Sequence, residues 1–449
     1  MTAGPDAPAD ALATPSPPAA GGSPLRSGTA VAAGMGIVSL AGFLTWIIAA
    51  RSMTREEVGQ LSGFVNAFML VSGAGQLGIG LVLTRYLPVA GRAMGKMLLW
   101  GDLALVASVL AVTGVFSLTP FADTIGAGLS HPMLVLTALT VLWSLYSLQA
   151  QVFPAIGRAG WSLPNSVAFS LARLGMLWAL ASAGVLTALA SWWVPCALSV
   201  LVMGVLIHRR GVRAHRETPA VLPTRRQVVS YAGGNWVASL WGTLFWSGLP
   251  LLVLQMLGPS VSAVFSALHI LVQTVDNLAG RYGAQLIIAA ASDRGSLARH
   301  ARTLVRAGAV VVLPGLAVLA LVAPLILHAF GQHYVDEGAT PLRIMVAVLA
   351  LRLVQQLMVN IWRATDRTLP VVLVHIAQVV PVLVLLGTGV VDGLVGVALT
   401  LLGTQIVLSG LMVRPLVRAL RSRVAPTLDG VAAVEGSGEL PTPRGHLGA

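Results

Sequence analysis

Seven ionisable side chains stand inside long apolar runs of this sequence: Asp102, Arg173, His269, Asp276, Arg281, Arg352 and His375. Placing such a group in hydrocarbon costs at least about 2.5 to 3.5 kcal/mol on insertion scales, so each must face a partner or a watery cavity. The run at 261–290 is the most informative. At 100° per residue, Ser262, Ser266, His269, Gln273, Asp276, Asn277 and Gly280 fall within an arc of about 100°, opposite Val264, Leu268, Leu271, Val275 and Leu278. Such a stripe either lines a water-filled cavity or packs as a polar seam against neighbouring helices. The run at 342–362 repeats the theme more weakly, with Arg352, Gln356, Asn360 and Arg363 on one face.

Guanidiniums gathered in a low-dielectric cleft suit a phosphate or diphosphate, because Arg offers planar paired donors and stays charged. Arg173, Arg281 and Arg352 are the candidate anion contacts, with Gln356 and Asn360 beside them; Ser266, His269, Gln273 and Asn277 form the candidate cavity stripe. For each arginine the competing role is a salt bridge to Asp102 or Asp276, or snorkelling to the interface. Asp276, two turns from His269, and Asp102 are the candidate coupling residues for H+ or Na+. A structural hydrogen bond is the competing role for Asp276.

The elements that carry these residues are membrane spans. Apolar residues make up 56% of the 449 and charged ones 10%, against about 25% charged in soluble proteins. Twelve apolar runs of the length a bilayer needs lie near 29–50, 58–83, 97–119, 132–153, 162–185, 188–207, 228–254, 261–290, 304–329, 342–362, 369–389 and 393–413. The net charge of +12 comes almost wholly from arginine, Lys96 being the one lysine, and reads as topology rather than nucleic-acid binding. With both termini cytoplasmic, inside segments carry the arginines of 209–226, 294–306 and the C-terminal tail, while the outside ones hold only Arg51, Arg55 and Arg343. The expected organisation is a disordered tail at 1–26, a six-span lobe at 27–208, a basic linker at 209–227, a second six-span lobe at 228–420 and a tail at 421–449.

The halves repeat. An offset of 209 sets Pro132 on Pro341, Ala155 on Ala364 and Arg158 on Arg367, as a proline that starts a helix and an Ala-x-x-Arg that ends it. Near an offset of 204, MTREEVGQL answers LGPSVSAVF. An even number of spans per half makes the repeat parallel, with its axis along the membrane normal and a cavity expected between the lobes.

Some chemistry is missing from the sequence. It contains no G-x-x-x-x-G-K-[ST] loop for ATP and no H-E-x-x-H. His333, Asp336 and Glu337, read as part of a short outside loop GQHYVDEG, make a poor metal site. Cys196, the single cysteine, allows no internal disulfide and reads as a packing residue. No catalytic set, metal site or resident cofactor is expected.

RSMTREEVGQLSGF, GQLGIGLVLTRYLP, FGQHY and the endings AIGR and ATDR resemble the polysaccharide-export, Wzx-type members of the multidrug/oligosaccharidyl-lipid/polysaccharide (MOP) superfamily over about 27–420. The resemblance implies an all-α membrane protein with two MATE-like V-shaped lobes in a bacterial inner membrane. It implies a flippase that moves a polyprenyl-diphosphate-linked oligosaccharide from inner to outer leaflet, working with membrane lipid and with polysaccharide polymerase or export machinery. Two alternatives stay open: a cation-coupled multidrug antiporter using Asp102 and Asp276, and a membrane-embedded glycan polymerase or transferase.

Overall fold

The computed structural model describes residues 24–126, 129–215, 217–220, 222–292, 306, 310, 312–364 and 368–421, with side chains described outside 24–35, 230, 234–235, 238, 278–292, 364, 368 and 420–421. Both expected tails and the arginines of 294–302 fall largely or wholly outside them. Every regular element described is helical. In chain order these are α1 (Pro24–Ser52), α2 (Arg55–Gly75), α3 (Ile79–Tyr86), α4 (Met94–Phe116), α5 (Phe121–Ile125), α6 (Pro132–Ala155) and α7 (Ser162–Leu180). There follow α8 (Val185–Leu206), α9 (Arg225–Thr243), α10 (Leu249–Ser292), α11 (Leu313–His328), α12 (Gln332–Ala364), α13 (Thr368–Gly387) and α14 (Gly393–Arg421).

Local sequence sets several of these ends. The Thr54 hydroxyl accepts from the Glu57 backbone N–H and the Glu57 carboxylate accepts from that of Thr54, a reciprocal cap on α2; Thr224 and Gln227 do the same for α9. Gly258, at φ 82° and ψ 171°, breaks α10 just before Pro259, a left-handed backbone that glycine adopts without a Cβ penalty. The run expected as one span at 58–83 is bent within its length. Leu77 and Gly78 have φ of 46° and 72°, and the helices on either side meet at 53°.

A second correction concerns the segment GQHYVDEG, expected as a loop. It is the first part of α12, which starts at Gln332 and carries Pro341 inside it, whereas Pro132 opens α6. Gln332 bonds Asp336 one turn on at 3.0 Å, and Glu337 is held by Arg55 at 2.6 Å. One local and one long-range partner stabilise the turn ahead of a proline that removes one ladder hydrogen bond.

Eight described helices are long and apolar enough to cross a membrane, nine if the bent α2–α3 pair counts as one span, and Gly36–Ser52 and Leu313–His328 are shorter apolar helices. The 39-residue stretch Ser239–Asn277 counts once among the eight although Gly258 divides it. Leu118, Leu321 and Trp178 are 86%, 78% and 76% exposed. Apolar surface on this scale is a liability in water and the proper surface in lipid. The chain is a multi-pass membrane protein.

The buried apolar side chains largely gather by half of the chain. One cluster joins Leu249, Val264, Leu268, Leu327, Leu342 and Val397; another joins Phe64, Phe68, Leu136, Leu189 and Trp192, with Leu254 and Ala263 reaching in from α10. Contact between the halves runs along α2 and α10. A Cβ on Gly59 would stand 1.9 Å from the Pro259 carbonyl oxygen, so only glycine admits this approach. One turn on, the Ser266 hydroxyl donates to that of Ser62 at 2.8 Å.

Candidate functional site

Asp276 lies near the middle of α10, buried, and its carboxylate meets α12. Arg352 donates to it through two parallel bonds, Nε to Oδ1 at 2.8 Å and Nη2 to Oδ2 at 3.0 Å. The Gln356 amide, one turn along α12, donates to Oδ1 at 2.7 Å. A fork-on-carboxylate pair of this kind gains both energy and fixed orientation. The guanidinium also lies over two rings, its carbon 5.2 Å from the centroid of Phe245 and 5.3 Å from that of Trp246. Both rings come from a π-helical turn, Leu244–Gly248, that joins α9 to α10; such turns concentrate at functional sites. One donor of Arg352, Nη1, is buried without a partner among the described residues.

The pair borders a cavity of about 670 Å³, lined by Trp246, Asp276, Asn277, Arg352, Gln355, Gln356, Val359, Asn360, Arg363 and His375. That volume is within the range of about 300–1,000 Å³ typical of small-ligand sites. Its lining is mostly amide, cationic and aromatic. Asp276 balances Arg352, while Arg363 has no carboxylate within 4.0 Å among the described residues, so the lining carries net positive charge. Behind it, Gln355 donates to Gln378 at 2.9 Å and accepts from Gln405 at 2.9 Å. Gln405 donates also to Ser409, whose hydroxyl returns to the Leu351 carbonyl at 2.9 Å. This buried chain of amides ties α12, α13 and α14 together and fixes the Gln355 side chain.

The sequence-derived set is divided by the fold. Arg352, Gln356, Asn360, Asp276 and Asn277 line one cavity. Ser266, His269 and Gln273 do not, so the expectation that the whole stripe of α10 faces one cavity is corrected. Ser266 is taken up by Ser62. His269 bonds the Trp246 carbonyl at 2.8 Å through Nε2 and packs between the Trp246 and Phe265 rings. The break at Gly258 and the close approach of α2 press the first half of the stripe into packing. The expected gathering of Arg173 with Arg352 is likewise not observed. Arg173, on α7, lies over Phe169 and Trp192 at 5.6 and 5.2 Å, with Nε unpartnered among the described residues. Asp102, on α4, is half-buried with no ion pair among the described residues. The Arg281 side chain lies outside the described residues.

Trp246 and Gln355 were not among the sequence candidates. A lone glutamine or tryptophan in an apolar run reads as packing or interface, and the π turn that aims Trp246 has no local code. Three glutamines, Gln355, Gln378 and Gln405, each deep in a separate apolar run, were the available signal.

Comparison with known proteins follows the same lines. The fold is shared with an inward-facing multidrug-resistance MATE-family transporter of the MOP superfamily, at TM-score 0.61 and 14% identity, over 85% of this chain and 94% of that one. The MATE multidrug transporter DinF-BH, solved as a complex, gives TM-score 0.57 and 14% identity, over 86% and 92%. A MOP-superfamily transporter from Pyrococcus furiosus gives 0.53 and 14%, over 87% and 93%. No curated protein sequence matches the chain. Residues 25–284, more than half of the chain, match the family model described as polysaccharide biosynthesis protein, and the chain therefore belongs to that family.

Proposed function

We propose that this protein is a flippase that carries a polyprenyl-diphosphate-linked oligosaccharide from the inner to the outer leaflet by alternating access of two six-span lobes. On this reading both termini are cytoplasmic, residues 209–227 link the lobes, and the membrane is the bacterial inner membrane. The observation that carries the proposal is the cavity beside the Asp276–Arg352 pair. Amides of Gln355, Gln356, Asn360 and Asn277 offer paired donors and acceptors to sugar hydroxyls, and Trp246 offers an apolar ring edge for a sugar face. Arg363, without a counter-charge among the described residues, receives the diphosphate. Arg352 holds its orientation on Asp276 and keeps Nη1 for the cargo.

Asp276 supplies the coupling step. The cargo phosphate competes with its carboxylate for Arg352, and release of the cargo restores the pair. Membership of a polysaccharide biosynthesis family favours this cargo; the MATE fold alone favours a cation-coupled drug antiporter, the second reading. One experiment separates them. In a strain lacking the protein, lipid-linked repeat units are labelled with a membrane-impermeant reagent from the outer face. Accumulation on the inner leaflet is expected; accumulation on the outer leaflet indicates a polymerase, and unchanged glycan with altered drug sensitivity indicates the antiporter.

A further inference from the structure

A second concavity, of about 390 Å³, opens where the two halves meet near the start of α9, the end away from Trp246. Ile79 and Val82 of α3, Met97 and Trp100 of α4, and Val228 and Ala232 of α9 line it. Its wall is apolar except for Lys96, the one lysine of the chain. Lys96 is exposed and stands one helical turn before Trp100, itself 64% exposed; Arg92, also exposed, lies one turn earlier again. No carboxylate lines the groove. The connection between the halves closes it, since Leu222 and Pro223 contribute to the lining. That connection is fastened in turn, with the Arg92 backbone N–H donating to the Thr218 carbonyl at 3.0 Å. A ligand here must be an amphiphile, with an apolar chain and an anion at one end.

We propose that this groove seats one acyl chain of an anionic glycerophospholipid, with its phosphate on Lys96 and Arg92 and its glycerol region against Trp100. Charge complementarity selects the headgroup, because a cation at the rim of an apolar trough gains from a phosphate carrying net negative charge. Tryptophan at the polar end of an apolar surface is the usual boundary residue. The occupant is a separate lipid rather than the cargo of the cavity beside Arg352. Ala232 and Trp246 are about 20 Å apart along the helix at 1.5 Å per residue, and one headgroup does not occupy both places. Because the groove draws its walls from both halves, a lipid seated in it favours the arrangement in which α3, α4 and α9 stay together.

Native mass spectrometry on the full chain tests the assignment. The protein is offered equal amounts of dioleoyl phosphatidylglycerol and dioleoyl phosphatidylcholine, and the last lipid retained on activation is identified. Wild type is expected to keep phosphatidylglycerol over phosphatidylcholine by at least about fivefold. Lys96→Glu is expected to abolish that preference, and Ala104→Trp, which fills the groove, to lower retention of both lipids. Arg418→Glu, at the end of α14, makes the same charge change elsewhere and should leave the preference intact. Equal retention of the two lipids by wild type overturns the proposal, as does an Arg418→Glu loss equal to that of Lys96→Glu. Displacement of phosphatidylglycerol by an equimolar polyprenyl phosphate overturns the choice of occupant. None of these outcomes depends on glycan export.

Discussion

Two helix pairs that the sequence offsets set in correspondence, α2–α6 and α10–α12, are used in opposite ways. The offset of 204 sets Ser72 of α2 against Asp276 of α10, and the offset of 209 sets Trp143 of α6 against Arg352 of α12. In the second half this pair is a carboxylate and a guanidinium 2.8 Å apart beside an open cavity. In the first half the link is neutral, with the Ser144 hydroxyl donating to Ser72 at 2.7 Å. The space around it is filled by rings: Trp143 lies 5.7 Å from Phe68, 5.5 Å from Tyr146 and 5.9 Å from Phe169. One half is packed shut with aromatic surface; the other holds charge, amides and room for a ligand. The asymmetry puts the candidate site in the second half.

The largest effect is expected at the ion pair. Arg352→Ala strands the Asp276 carboxylate, and removing one partner of a buried pair costs about 3–5 kcal/mol. A clear drop in melting temperature in detergent is expected, with loss of glycan export. Asp276→Asn with Arg352→Gln replaces both charges by amides of similar shape and should recover most of the stability, because neither side is left ionised and alone. Export should stay absent in the double variant. If the double variant exports normally, the pair serves folding and the cargo reads neither residue.

Much of this was legible from burial cost alone. Asp276 and Arg352 stand out in the sequence because an ionisable group in an apolar run needs a reason, and their partnership in the fold supplies one. Their pairing across 76 residues was one of the alternatives the sequence left open; a local pattern gives the face of each helix but not which helix it meets. The same gap put Arg173 with Arg352, although α7 and α12 hold them in separate ring-lined settings. Gly258 marked its own break through the LGPS turn. Pro341 misled, because a proline reads as a helix start unless the turn before it finds partners, as Asp336 and Glu337 do through Gln332 and Arg55.

A transplant probes whether the halves share geometry as well as pattern. Ser72→Asp buries a carboxyl group among Trp143, Phe68 and Ser144, where it takes up a proton rather than stand ionised, and the neutral group is expected to cost about 1–3 kcal/mol, the range for an uncompensated buried polar group. Adding Trp143→Arg places a guanidinium where Arg352 stands in the other half. If α2 and α6 face each other as α10 and α12 do, a double-mutant cycle gives a favourable coupling energy even though the ring packing of Trp143 is lost. A coupling near zero shows that the two helix pairs differ in spacing, and the offset then describes sequence only.

The smallest change in stability is expected at Arg173, and it sharpens the contrast with Arg352. Arg173 has no carboxylate within 4.0 Å among the described residues, so Arg173→Gln strands no counter-charge. What it loses is attraction to the Phe169 and Trp192 rings, worth about 0.5–2 kcal/mol for a cation over an aromatic face. Against that stands relief from holding an Nε donor that finds no acceptor. The melting temperature should therefore move far less than in Arg352→Ala. If export nevertheless falls to the level of the Asp276→Asn, Arg352→Gln variant, the unpaired cation of the first half meets the cargo during the transport cycle. Export at wild-type level confines cargo recognition to the second half.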